Sequence, residues 1–114
     1  MKRGEIWIAN LEPGFGREIH KKRPAVILSK NSIHANSNHV IIIPASSLVP
    51  KIIGIEMILI GKKEGLDKPS VLLPVFIRSI DQKRLIKKVG KLSKAKLQEV
   101  EEAVKIILSL RREE

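Results

Sequence analysis

Between residues 5 and 80, Ile and Val gather in short runs that break at Gly, Pro, Asn and Asp, and apolar spacing of three or four residues is rare. That pattern predicts strands joined by turns. The expected strands are Glu5 to Leu11, Pro24 to Ser29, His39 to Ala45, Ile55 to Ile60, Ser70 to Leu73 and Val75 to Ile80. In Ile6-Trp7-Ile8 both alternating faces are apolar, so this strand should be covered on both sides, with Trp7 in the core. From residue 93 the period changes, because Leu97, Val100, Val104, Ile107 and Leu108 recur at helical steps after Ser93, a suitable N-cap. One amphipathic helix is expected over 94 to 110. Lys96 occupies the position where a capping box would place Glu or Gln. Arg111-Arg112 follow near the negative end of the helix dipole, and Glu113-Glu114 should fray. The fold class that emerges is mainly β with a C-terminal helix.

Composition narrows the reading. At 114 residues the chain should form a single domain spanning 1-114. The 43% hydrophobic content supports a core and excludes a disordered basic tail. Cys is absent, which excludes a disulfide scaffold, a thiolate zinc site and cysteine catalysis. The longest apolar runs, such as Val40-Ile41-Ile42-Ile43-Pro44-Ala45, are too short to span a bilayer, and Met1-Lys2-Arg3-Gly4-Glu5 introduces no signal-like apolar segment. A cytoplasmic protein with no membrane partner is the expectation.

Charge changes the picture more. The chain carries 22 Lys and Arg against 12 Asp and Glu, a formal charge of +10. Residues 93–114 hold five basic side chains and five Glu, so the excess falls on residues 1–92, with 17 basic against 7 acidic. A polyanionic partner should therefore meet the β body rather than the helix.

Asn10 to Arg23 is a long connection without periodicity, and such loops in small domains are usually functional. It holds Pro13-Gly14-Phe15-Gly16, then Arg17, Glu18, His20, Lys21, Lys22 and Arg23. Pro24 stiffens its exit. At the end of the third expected strand, Ser46 and Ser47 present two hydroxyls. If the strands starting at Pro24 and ending at Ser46 are neighbours, a guanidinium and a hydroxyl converge on one phosphate. Taken alone, the same basic run reads first as a solvated, solubilising loop. His20, His34 and His39 have the chemistry of general acids and bases. Of these, only His20 lies in the basic loop, and the other two should be surface residues. No carboxylate cluster accompanies them, so no metal site is expected. Arg78, Lys83, Arg84, Lys87, Lys88 and Lys91 form a second basic stretch. With only Trp7, Phe15 and Phe76 as aromatics, an extended base-stacking platform is excluded.

Lys2-Arg3-Gly4-Glu5-Ile6-Trp7, Lys22-Arg23-Pro24-Ala25-Val26-Ile27, the strand ending Pro44-Ala45-Ser46-Ser47, Ile77-Arg78-Ser79-Ile80-Asp81-Gln82-Lys83-Arg84-Leu85 and Gly90-Lys91-Leu92 occur in an order and spacing that resemble the MazF/PemK family of toxin endoribonucleases. The resemblance runs from about Lys2 to Leu110. It implies an SH3-like β-barrel of the MazF/PemK/CcdB type with a terminal helix, assembled as a homodimer. It also implies metal-independent, cofactor-free cleavage of single-stranded RNA at short sequences, and blockade by an acidic antitoxin. The family's catalytic pair falls on Arg23 and Ser46 and its loop Glu on Glu18. Arg17, His20, Lys21, Lys22, Ser47 and Arg78 are the expected RNA contacts. The chain departs from the family at Arg17, Ile19 and His20, at Val75-Phe76 where Glu-Gln is usual, and at Ser46 where Thr is usual.

The mechanism so implied is attack of the RNA 2′-hydroxyl on the adjacent phosphorus. Arg23 and Ser46 would hold the phosphate, and Glu18 or His20 would fill the base's place that a guanidinium suits poorly. A non-catalytic nucleic-acid-binding barrel and a CcdB-like topoisomerase poison are the alternatives.

Overall fold

The computed structural model describes residues 1–110. Seven strands form a bent sheet: β1 (Glu5–Asn10), β2 (Lys22–Ile27), β3 (His39–Ser46), β4 (Ile58–Ile60), β5 (Ser70–Leu72), β6 (Arg78–Asp81) and β7 (Leu85–Lys91). A one-turn helix α1 (Asn31–Asn36) precedes β3, and α2 (Lys94–Ile107) closes the described chain. The strand order is β4-β5-β3-β2-β1-β7, with β6 also on β3. One edge of β3 pairs with β2, while the other pairs first with β6 and then with β5. Because β3 belongs to both parts of the sheet, it is the strand around which the sheet bends.

Alternation along the central strands explains the two cores. Ile6, Val26, Ile43 and Ala45 point to one face, where Leu72, Val100 and Ala103 cover them. Ala9, Ala25, Ile27, Val40 and Ile42 point to the other face with Leu11 and Ile80, against which Trp7, Ile19 and Leu85 pack. The sheet is thus apolar on both sides, as Ile6-Trp7-Ile8 predicts. Trp7 is half-buried rather than enclosed, since its indole Nε1 donates to Glu5 Oε1 at 3.1 Å. An indole with a wet polar end commonly settles at such a boundary.

The N-terminal motif ties the helix to the sheet. Arg3 Nε donates to the Leu28 carbonyl at 2.8 Å and its Nη2 meets Glu101 Oε2 at 2.6 Å. Gly4, at φ 90°, donates to the Ile27 carbonyl and accepts from Leu92 N. Burial works against ionisation of Glu5, yet hydrogen bonds from Trp7 and Lys88 and from the Lys2 backbone outweigh it and hold the carboxyl at about 2. At the same end of the β1–β7 ladder, a Cβ on Gly90 would lie 1.7 Å from the Glu64 carbonyl, and one on Gly65 2.3 Å from the Val89 carbonyl. Only glycine at both positions lets the 61–65 turn lie directly on β7.

Several elements differ from the sequence expectation. β2 starts at Lys22, so Arg23 is a strand residue rather than a loop terminus. The expected strand from Val75 begins only at Arg78, because Pro74 opens a 3-10 turn over Pro74–Phe76. The expected strand from Ile55 shortens to Ile58–Ile60, since Met57 N bonds the Gly54 carbonyl in a turn. Asn31–Asn36 is helical, and β7 was not expected. Ser93 caps α2 by accepting from Lys96 N at 3.1 Å. The helix stops three residues early, where Ser109 adopts φ 54° and Leu110 N returns to the Lys105 carbonyl. These are the bonds of a Schellman ending with Ser in the left-handed position usually held by Gly. The roles assigned to Arg111-Arg112 and Glu113-Glu114 lie outside the described residues. No helix among the described residues is long and apolar enough to cross a membrane.

Candidate active site

The β2–β3 pairing brings the two phosphate-binding candidates to one end of the sheet. Paired residues run from Ile27↔Ile42 to Ala25↔Pro44. The ladder ends there, and Arg23 and Ser46 each lie two residues beyond it. Arg23 is also in phase with Ala25 and Ile27, and Ser46 with Ile42, so both belong to the second face of the sheet. The two side chains make separate bonds: Arg23 Nε donates to the His20 carbonyl at 2.6 Å, and Ser46 Oγ accepts from Leu48 N at 3.1 Å. Among the described residues, the two Nη groups of Arg23 have no hydrogen-bond partner. A guanidinium anchored through Nε presents its outer edge as a ready fork for phosphate oxygens.

A groove of about 350 Å³ lies against this end. Lys22, Arg23 and Ser47 line it, together with Lys68, Ser70 and Lys87, and Asp67 supplies its one carboxylate. Four cations against one anion give it a strongly positive lining. Asp67 and Lys68 carry no local signal because their connection, Gly61 to Pro69, is turn-rich, and Ser70 merely opens the expected strand that becomes β5. Lys87 belongs to the second basic stretch, which joins the groove because β7 pairs with β1. Ser46 is itself buried and does not line the groove, whereas its exposed neighbour Ser47 does.

The β1–β2 loop folds over the second face. Glu18 and Ile19 form a smaller cleft of about 280 Å³ with Phe76, Ile77 and Arg78. Arg78 stands opposite Ile42 on β6, so it shares the face of Arg23 and Ser46. The loop apex is held reciprocally: Phe15 N donates to Glu18 Oε1 at 2.9 Å and Glu18 N to the Phe15 carbonyl at 3.1 Å. Phe15 is left 84% exposed. Arg17 is exposed beside it.

At the loop base, Glu12 Oε1 accepts from Lys21 N at 2.9 Å and lies 2.7 Å from His20 Nδ1. The Lys21 backbone bond, then the His20 side chain, hold the Glu12 carboxyl below its usual range. Lys21 takes φ 75° to make this turn. Of the remaining histidines, His39 is exposed as expected. His34 is not a plain surface residue: its Nε2 meets Ser29 Oγ at 2.6 Å, and its Nδ1 is buried without a partner.

The family model for the PemK-like, MazF-like toxin of type II toxin–antitoxin systems matches residues 2–108. The chain is 32% identical over 115 residues to endoribonuclease MazF9 of Mycobacterium tuberculosis, covering 96% of this chain and 98% of that protein. Its fold is similar to that of MazF from Deinococcus radiodurans, with a TM-score of 0.83 at 22% identity over 96% of each chain. It is also similar to a mycobacterial endoribonuclease solved in complex with its cognate antitoxin, with a TM-score of 0.79 at 16% identity over 99% of each chain.

Proposed function

The chain belongs to the PemK-like, MazF-like toxins of type II toxin–antitoxin systems, and from that premise we propose that it cuts single-stranded RNA at short sequences through attack of the 2′-hydroxyl, without a metal. The observation that carries this reading is the free Nη edge of Arg23, which lines a groove with Lys22, Lys68 and Lys87 at the end of β3 where Ser46 and Ser47 lie. As O2′ closes on phosphorus, charge builds on the non-bridging oxygens, and stabilising that charge is usually the largest catalytic contribution. The free Nη edge of Arg23 faces this task. Ser46 donates its hydroxyl proton to the phosphate while its lone pair keeps the Leu48 bond. The P–O5′ bond then breaks, leaving a 2′,3′-cyclic phosphate and a 5′-hydroxyl.

Lys22, Lys68, Lys87 and Ser47 hold the strand's other phosphates. Arg78 and Arg17 extend the track, and Glu18 keeps the loop apex shaped around Phe15, whose exposed ring stacks on a base. The chemistry offered is cationic, and among the described residues no group of three His, Asp or Glu stands ready for a metal. An acidic antitoxin segment fits the same basic surface, and a homodimer would cover exposed apolar side chains such as Ile41 and Val75. Incubation of the purified protein with single-stranded RNA in the presence of chelator tests the proposal: cleavage lost in Arg23→Ala supports it. Undiminished cutting by that variant, or a requirement for magnesium, overturns it.

A further inference from the structure

Resting on that ribonuclease reading, we propose that His20 is the general base that takes the 2′-hydroxyl proton, and that Glu12 is the positioning residue that orients it. The geometry distinguishes His20 from Glu18, the other candidate for this role. Glu18 spends Oε1 on the Phe15 amide at the loop apex. His20 is attached directly to the phosphate-binding residue, because its carbonyl accepts from Arg23 Nε at 2.6 Å. That bond ties the His20 backbone to the guanidinium, and the Glu12 contact holds the ring.

Glu12 selects the tautomer. Its Oε1 already accepts from Lys21 N at 2.9 Å, and that bond favours the ionised carboxylate. An ionised carboxylate only accepts, so the 2.7 Å contact requires the proton to sit on His20 Nδ1. The lone pair of neutral His20 is then on Nε2, away from Glu12. Gly14 makes room for the ring: a Cβ there would lie 2.7 Å from His20 Cγ. Arg84 steadies the loop base by donating to the Asn10 carbonyl at 3.0 Å and to the Glu12 carbonyl. The charged groups around the imidazole are thus Glu12 and Lys21 from its own loop, Arg23 from β2 and Arg84 from the turn before β7.

In the step assigned, the O2′–H proton passes to Nε2 while O2′ bonds to phosphorus. The P–O5′ bond breaks, O5′ takes a proton from water, and the imidazolium returns its proton to solvent. General base catalysis of this kind contributes about a hundred- to ten-thousand-fold.

The test is the cleavage rate of short random-sequence single-stranded RNA, carrying a fluorophore and a quencher, followed against pH for wild type, His20→Gln, His20→Ala, Glu12→Gln and Arg23→Ala, each checked for folding by thermal melting. The expected result is a wild-type rate that falls on the acid side. In His20→Gln the rate drops at least about a hundred-fold and the acid limb disappears, and added imidazole restores cutting in His20→Ala. Glu12→Gln slows cleavage about ten-fold but keeps an acid limb. Folded His20→Gln with the wild-type rate and pH profile, or His20→Ala indifferent to imidazole, overturns the base assignment. If Arg23→Ala is then still inactive, the ribonuclease reading stands without it. Wild-type protein that leaves the RNA intact overturns both.

Discussion

At the scale of single residues, the proposed chemistry rests where the β1–β2 loop meets two strand ends. Ser46 and Arg23 contribute in different ways, and their variants should separate. Arg23→Ala removes the charged fork and should lower the rate about a hundred- to a thousand-fold without unfolding the protein. Ser46→Ala removes a phosphate donor and also leaves Leu48 N unpaired, so it should lose activity and about 1 kcal/mol of stability together, read by kinetics and thermal melting. Phe15 is so exposed that Phe15→Ala should leave the melting temperature unchanged while raising KM by roughly five-fold to a hundred-fold, corresponding to about 1–3 kcal/mol of lost stacking. Glu5 gives a residue-scale pH effect. Its folded-state value of about 2 lies below the ordinary 4.5, so its stabilisation is complete above about 4.5 and is lost as pH falls from there towards 2. Glu5→Gln should flatten the melting profile across that window.

Arg23, Ser46 and the basic loop were legible in the sequence, because Pro24 and the Pro-Ala-Ser-Ser strand end are local signals. Asp67 and Lys68 in their turn, and Ser70 at the start of β5, were not, since only the fold carries them to the groove. Glu12 was invisible for the same reason: its meaning comes from the loop closing on itself through Lys21 and His20.

Elements show a similar division between local pattern and tertiary placement. The strands with Ile and Val on alternate positions, and the helix with its Ser93 cap, follow from local pattern. β7 did not show itself, because Lys87, Lys88 and Lys91 sit among its apolar residues and interrupt alternation. Charged residues of this kind protect an edge strand from unwanted pairing, so the feature that hides β7 suits its position at the end of the sheet. Pro74 explains the late start of β6, and the close approach of Gly65 and Gly90 explains why Gly90-Lys91-Leu92 has the form it does. Gly90→Ala should separate the 61–65 turn from β7, costing about 2–4 kcal/mol by analogy with overpacked cores, and should weaken RNA binding because Gly65, Leu66 and Asp67 line the groove. At the end of α2, Ser109→Gly should raise stability by about 0.5–1 kcal/mol, since glycine adopts the left-handed backbone without steric cost. Denaturant melts of both variants check the signs.

For the whole molecule, the +10 charge and its placement decide what the protein meets. The basic excess lies on the β body, and the groove beside Arg23 holds Lys22, Lys68 and Lys87. RNA affinity should therefore fall steeply with salt. Removing one of these lysines should reduce the slope of log affinity against log salt by about 0.7, the counterion share of one single-strand phosphate. The fold class was legible from periodicity, and the family from ordered motifs spread along nearly the whole chain. The bend of the sheet around β3, which gives the groove its shape, depends on pairings that no local pattern records.

The most direct measurement compares an RNA substrate with the same strand carrying a 2′-deoxy sugar at the cut position, with both sets of product ends identified by mass spectrometry. Attack by the 2′-hydroxyl predicts a 2′,3′-cyclic phosphate and a 5′-hydroxyl from the RNA, and an intact deoxy-substituted strand. Equal cutting of both strands, or products bearing a 5′-phosphate, would contradict it.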